Sequence, residues 1–154
     1  MIAPMSRPLF RAFVVWMVLL VAAVINGIVR EAVLAPFWGP TVAHWVSTLL
    51  LSAGIFFATL LLSPWLDLRS RREAWWVGAL WFALTVGFEF IAGHFVFGTP
   101  WPTLLADYNL AQGRIWILIP VVTLLTPPVL FAMHGAAPVR RDDAIAKNWA
   151  KKDK

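Results

Sequence analysis

Cysteine is missing from all 154 residues. Disulfides, thiolate metal sites and cysteine nucleophiles are thereby excluded. Charge is scarce as well: 14% of the chain is Asp, Glu, Lys or Arg, against about 25% in a soluble domain. No phosphate-binding loop, nucleophile elbow or zinc-protease motif occurs. The sequence therefore announces no catalytic residue, no metal-ligand set and no cofactor. What it has in excess is apolar material, at 60%. A soluble chain this short has too little interior to hide that much. The composition predicts an integral membrane protein.

A helix that crosses a bilayer needs about 20 mostly apolar residues. Four stretches meet this: 12–29, 42–62, 74–96 and 115–133. Their apolar runs are continuous and do not alternate with period 2, so they read as helices and not as barrel strands. Pro36, Gly39 and Pro40 separate the first two. Ser63-Pro64 and the charged stretch 67–73 separate the second and third. Gly98, Pro100 and Pro102 follow the third. The expectation is an all-α protein: a four-helix transmembrane bundle over 1–137, followed by a basic tail at 138–154.

The net charge of +5 is a matter of placement. Of thirteen Lys and Arg, eleven lie before the first span, between the second and third, or after the fourth. Only Arg30 and Arg114 fall on the other side. By the positive-inside rule both termini are cytoplasmic in a bacterial inner membrane. The first span reads as an uncleaved anchor, because 33–35 is a poor cleavage site. A nucleic-acid footprint would need a folded basic face, which the short mixed-sign tail does not supply.

Small residues at Ala79, Ala83 and Gly87 recur every four positions, a stripe along which helices approach closely. Thr123 and Thr126 are placed to satisfy carbonyls freed by Pro127 and Pro128. The ten Trp residues, Trp16 and Trp116 among them, fall mostly near span ends and read as an aromatic belt. Over 99–113, Trp101, Leu104, Leu105 and Tyr108 form one stripe of a short amphipathic surface helix before the last span. Asn109 and Gln112 have capping-box spacing for the start of that span.

The remaining polar groups gather on the non-cytoplasmic side. Asn26, Arg30 and Glu31 close the first span, His44 opens the second, and Glu89 and His94 lie near the end of the third. Asp107 and Arg114 lead into the fourth. Asn26 and Arg30 share a helix face. Glu89 sits about 10 Å inside its span end, where an unpaired carboxylate costs a few kcal/mol. Arg30 is the nearest expected partner, with Arg114 next.

The runs Phe88-Glu89-Phe90-Ile91-Ala92-Gly93-His94-Phe95 and Gly98-Thr99-Pro100-Trp101 carry a resemblance. So do Leu104 to Asn109, Gly113-Arg114-Ile115-Trp116, Asn26-Gly27 and Arg30-Glu31. Together they resemble an uncharacterised group of small four-span bacterial integral membrane proteins. The resemblance implies architecture only. The leading functional expectation is non-enzymatic. A polar cluster of Asn26, Arg30, Glu89, His94, Asp107 and Arg114 would bind or pass a small polar solute or ion, or serve a membrane complex. Expected partners are the lipid bilayer and a second copy or complex subunit. Two alternatives stand beside it. One is a small membrane enzyme acting on a lipid or quinone, with Glu89 or His94 as acid/base. The other is a b-type haem or metal protein held by His44 and His94.

Overall fold

The computed structural model describes residues 6–134; the basic tail lies outside the described residues. Helices make up nearly all of that length, and no strand occurs among the described residues. The chain runs through α1 (Ser6–Val29), a π turn (Arg30–Leu34), α2 (Ala35–Leu66) and α3 (Arg71–Ile91). A second π turn (Ala92–Val96), the short α4 (Trp101–Ala106), a 3-10 turn (Leu110–Gln112) and α5 (Leu118–His134) follow. Two helical stretches are long and apolar enough to cross a membrane: Pro8–Leu66 and Arg71–Val96. The apolar α5 is shorter, at 17 residues.

The expected loop between the first two spans is a single-residue break. Helical winding continues through Pro36, and only Gly39 leaves it, at φ 77° and ψ 160°. That conformation is essentially confined to glycine. A straight helix from Arg11 to Asp67 would be about 84 Å long, yet their side chains form a 3.2 Å ion pair. The chain must therefore fold back on itself, and Gly39 is where the backbone permits it. Asp67 also receives Arg69 at 3.2 Å, and Ser70 caps α3 by accepting from the Glu73 N–H at 3.1 Å.

Trp81 lies at the centre of the core with no exposed surface. Its indole N–H donates to the Ala12 carbonyl at 2.8 Å. One helical turn further along both helices, Trp16 donates to the Thr85 hydroxyl at 3.1 Å. Both bonds join residues 69 apart in sequence, so α1 and α3 run parallel. Trp16 is thus a core residue and not part of the belt. Trp38, Trp45, Trp65, Trp75, Trp76 and Trp101 are exposed.

The close helix approach uses a different face of α3 from the expected one. Ala79 and Ala83 point outward, and nothing lies within 4 Å of a Cβ added at Gly87. The buried stripe is Ala74, Val77, Gly78 and Trp81. A Cβ added at Gly78 would come within 2.1 Å of the Leu124 carbonyl oxygen on α5. Pro128 has no N–H, so it removes that carbonyl's usual helical partner. The freed oxygen meets the one residue of α3 that leaves room for it. Thr123 and Thr126 do not take the freed carbonyls. Their hydroxyls donate to Pro120 and Val122 instead, at 2.8 Å and 2.7 Å.

The amphipathic segment is also shorter than its stripe implied. α4 ends before Tyr108, Leu104 is buried, and Leu105 is exposed. Asn109 caps the 3-10 turn by accepting from the Ala111 N–H at 3.1 Å. It does not start α5, which begins nine residues later. Gly78→Ala should destabilise the fold by about 1–3 kcal/mol through overpacking. Gly87→Ala should be neutral or slightly stabilising, since the site is open. Thermal unfolding of the two variants beside the wild type checks the contrast.

Candidate functional site

Two adjoining cavities occupy the end of the bundle where α1 and α3 finish. The larger, about 840 Å³, lies between α1, α3 and α5. Its wall along α1 runs from Trp16 to Ala32, about 24 Å at the helical rise. Leu19, Leu20, Ala23, Phe88 and Ile119 make that wall mostly apolar. The smaller, about 480 Å³, is lined by His44 and Trp45 of α2 and by Arg114. Arg30, Glu31 and Asp107 line both cavities and so form the rim between them.

Glu89 lines the larger cavity, as expected of a functional carboxylate, but its partner is Tyr108. The phenol donates to Glu89 Oε2 at 2.5 Å. The expected pair with Arg30 is absent, and the helix register explains why. An offset of 69 residues between α1 and α3 places Glu89 level with Leu20. Arg30 is ten residues higher, about 15 Å along the bundle. The Trp116 ring stands between them: Arg30 lies over it, 5.6 Å from the centroid. Trp116 Nε1 is directed at the Glu89 carboxylate, but by distance and angle it has no hydrogen-bond partner among the described residues. Arg30 pairs with its neighbour Glu31 at 3.0 Å. Arg114, the other expected partner of Glu89, pairs with Asp107.

His94 contributes differently from the expectation. Its Nδ1 meets the Thr99 carbonyl at 3.0 Å, and its ring stacks on Trp101 at 4.2 Å. Phe90 stacks on both Trp101 and Tyr108, at 6.2 Å and 5.7 Å. This ladder of rings clamps α4 against the end of α3 and delivers Tyr108 to Glu89. His94 therefore holds the wall in place. His44 lines the smaller cavity, tilted against Trp116 at 6.2 Å, whereas His94 lines neither of the two cavities. Asn26 Nδ2 and His44 Nε2 are buried without a hydrogen-bond partner among the described residues.

Of the six expected site residues, Arg30, Glu89, Asp107 and Arg114 line the cavities, while Asn26 and His94 line neither. Trp116 and Trp45 belong to the site and were read from sequence as belt residues; Tyr108 belongs to it too, and was read as one polar group of this level without a role beyond the helix stripe. Trp45 donates its indole N–H to the Gly113 carbonyl at 2.7 Å, which fixes the approach to Arg114. For Tyr108 a signal was available: it is the chain's single tyrosine, in the segment that follows the apolar run holding Glu89.

No protein-family model, curated protein or solved structure matches the chain.

Burial, and then the Glu89 carboxylate it donates to, push the Tyr108 phenol well above its ordinary value. Because no other tyrosine is present, tyrosinate absorbance reads this group alone. At pH 10, where an ordinary phenol is about half ionised, the wild-type chain should show little tyrosinate. Glu89→Gln removes the repelling charge, so ionisation should move to lower pH while burial keeps it above the ordinary value. A wild-type midpoint near pH 10 would refute the contact.

Proposed function

We propose that the protein is a four-span membrane protein with cytoplasmic termini that binds an amphiphile, apolar chain inward, in the larger cavity. The observation that carries this is the cavity itself. It has the size and the apolar lining with few polar groups that mark small-molecule sites between bundled helices. Its charged groups are a rim of Arg30, Glu31 and Asp107, with Glu89 lower on the wall. A small polar solute or ion would find few partners along Leu19, Leu20, Ala23 and Ile119. An apolar chain is complementary to them, and the rim suits a polar head.

The distribution of side chains supports four spans. Large apolar groups face outward on every long helix, with Leu61 and Phe37 each 80% exposed. The polar Ser47, Thr48, Thr59, Thr123 and Thr126 are buried. Soluble monomers rarely carry apolar exteriors of this extent. Gly39 divides the first long stretch into two arms that pack on each other. Winding at the start of α5 begins before the helix proper, with Leu118 N–H donating to Ile115 at 3.0 Å and Ile119 N–H to Trp116 at 2.9 Å. That extends it toward bilayer-spanning length. The arrangement also keeps the basic loop at 67–73 and the end of α5 at one end of the bundle, in line with the positive-inside distribution.

Two measurements test this. Mass spectrometry of protein purified in mild detergent should find a bound amphiphile in the wild type. Ala23→Trp, which fills the cavity, should carry about tenfold less or lower, since its apolar pocket is blocked. Equal loading of the two proteins would overturn the site. The cysteine-free chain also permits clean topology mapping. An impermeant maleimide should label Thr99→Cys in intact cells, and should label Arg72→Cys only after the membrane is opened. The reverse pattern would overturn the orientation.

A further inference from the structure

The amphiphile reading leaves the smaller cavity without a role, although it shares its rim with the larger one. The charges facing it are balanced. Arg30 and Arg114 supply two cations, and Glu31 and Asp107 two anions. They are joined as Arg30–Glu31 at 3.0 Å and Arg114–Asp107. His44 also faces it, and its Nε2 has no hydrogen-bond partner among the described residues. His44 lies within electrostatic range of Arg30, Arg114 and Asp107, so these groups converge on one volume.

Both ion pairs are of the exchangeable kind. The Glu31 side chain is 71% exposed and that of Arg114 46%. Pairs so open to solvent contribute little to stability. A head of one sign makes a poor exchange partner. An anion would take the arginines and leave Asp107 unpaired, and a cation would do the converse to Arg30. A zwitterion exchanges both pairs at once and strands neither partner. Its anionic part would meet two guanidinium forks, more donors than the two oxygens of a carboxylate use well. A phosphate matches them better. Its cationic part would meet two carboxylates, which accept N–H bonds that only a protonated amine donates. A quaternary ammonium would need an aromatic cage, and the indole lining this cavity is Trp45 alone.

We infer that the smaller cavity is the headgroup site for a phosphoethanolamine-type zwitterionic lipid, whose chain lies in the larger cavity. The Arg30, Glu31 and Asp107 rim is where head and chain join. This inference rests on the amphiphile reading, and the experiment separates the two.

The full chain in detergent micelles is melted with increasing mole fractions of three lipids bearing the same chains: dioleoylphosphatidylethanolamine, dioleoylphosphatidylglycerol and dioleoylglycerol. Soluble phosphoethanolamine forms a fourth arm. The expected result is stabilisation by phosphatidylethanolamine at about tenfold lower mole fraction than by phosphatidylglycerol. Arg30→Gln and Arg114→Gln should erase that difference, and Ala23→Trp should abolish the response to every lipid. Equal responses to the three lipids would overturn the headgroup inference and leave the amphiphile reading standing. No response to any lipid would remove the amphiphile reading as well. Stabilisation by soluble phosphoethanolamine equal to that by the lipid would overturn the joining of head and chain. If the glutamine variants do not fold, Arg114→Lys takes their place. It keeps the charge but loses the fork, so the phosphatidylethanolamine preference should shrink, and an unchanged preference would overturn the inference.

Discussion

Trp81 and Trp16 each donate an indole N–H across the interface between α1 and α3, to the Ala12 carbonyl and the Thr85 hydroxyl. Two bonds at one offset leave the helices no freedom to slide past each other. A buried indole N–H without its acceptor would cost about 1–3 kcal/mol, so a slip of one residue is penalised at two places. The locked register decides which residues stand level at the far end. It puts Glu89 level with Leu20 on the wall and leaves Arg30 nearer the mouth. It also holds α1 against α3 while leaving it no comparable interface with α5. The space left between α1 and α5 is the larger cavity.

A second constraint along the same buried stripe of α3 is contact without a side chain. Gly78 admits the Leu124 carbonyl, whose helical donor Pro128 has removed. α3 packs more extensively on α5 than any other two helices do on each other. α3 is therefore the common reference for the bundle: its buried stripe fixes α1 by hydrogen bonds and α5 by close approach. Trp116 and Arg114, in the segment that leads into α5, are carried to the level of Glu89 and Arg30 as a consequence.

Helix identity was readable because it depends on local quantities, namely apolar runs and glycine or proline breaks. Glu89 stood out for the same reason, as a carboxylate within an otherwise apolar run. What depended on facing was not. Ala74 and Gly78 have the same four-residue spacing as Ala79, Ala83 and Gly87, and only the position of the α5 carbonyl chooses between them. Span ends gave Arg30 and Glu89 similar depths, whereas the indole bonds separate them by about 15 Å. Tyr108 fell in an apolar stripe, and the tight turn after α4, with Asp107 N–H bonded to the Thr103 carbonyl and Tyr108 N–H to Leu105, carries it out of helical phase and onto Glu89. Trp116 sat at a span end, where a belt explanation was sufficient.

The two π turns show how the rim acquires neighbouring charges. In one, the Ala35 N–H reaches back to the Arg30 carbonyl. In the other, Phe97 N–H reaches Ala92 at 2.9 Å. An i→i+5 bond places more residues in a turn than an α-helix does, so consecutive side chains diverge by a smaller angle. Arg30 and Glu31 consequently line the same two cavities, where a regular helix would have rotated Glu31 further away. The second π turn does the same for α3. Gly93 and Phe97 both line the larger cavity, while the His94 ring between them stacks outward on Trp101. Both turns lie at the end of the bundle where the cavities open. A widened turn exchanges some helical regularity for wall area, and here that exchange puts a paired cation and anion side by side at the mouth of an apolar cavity.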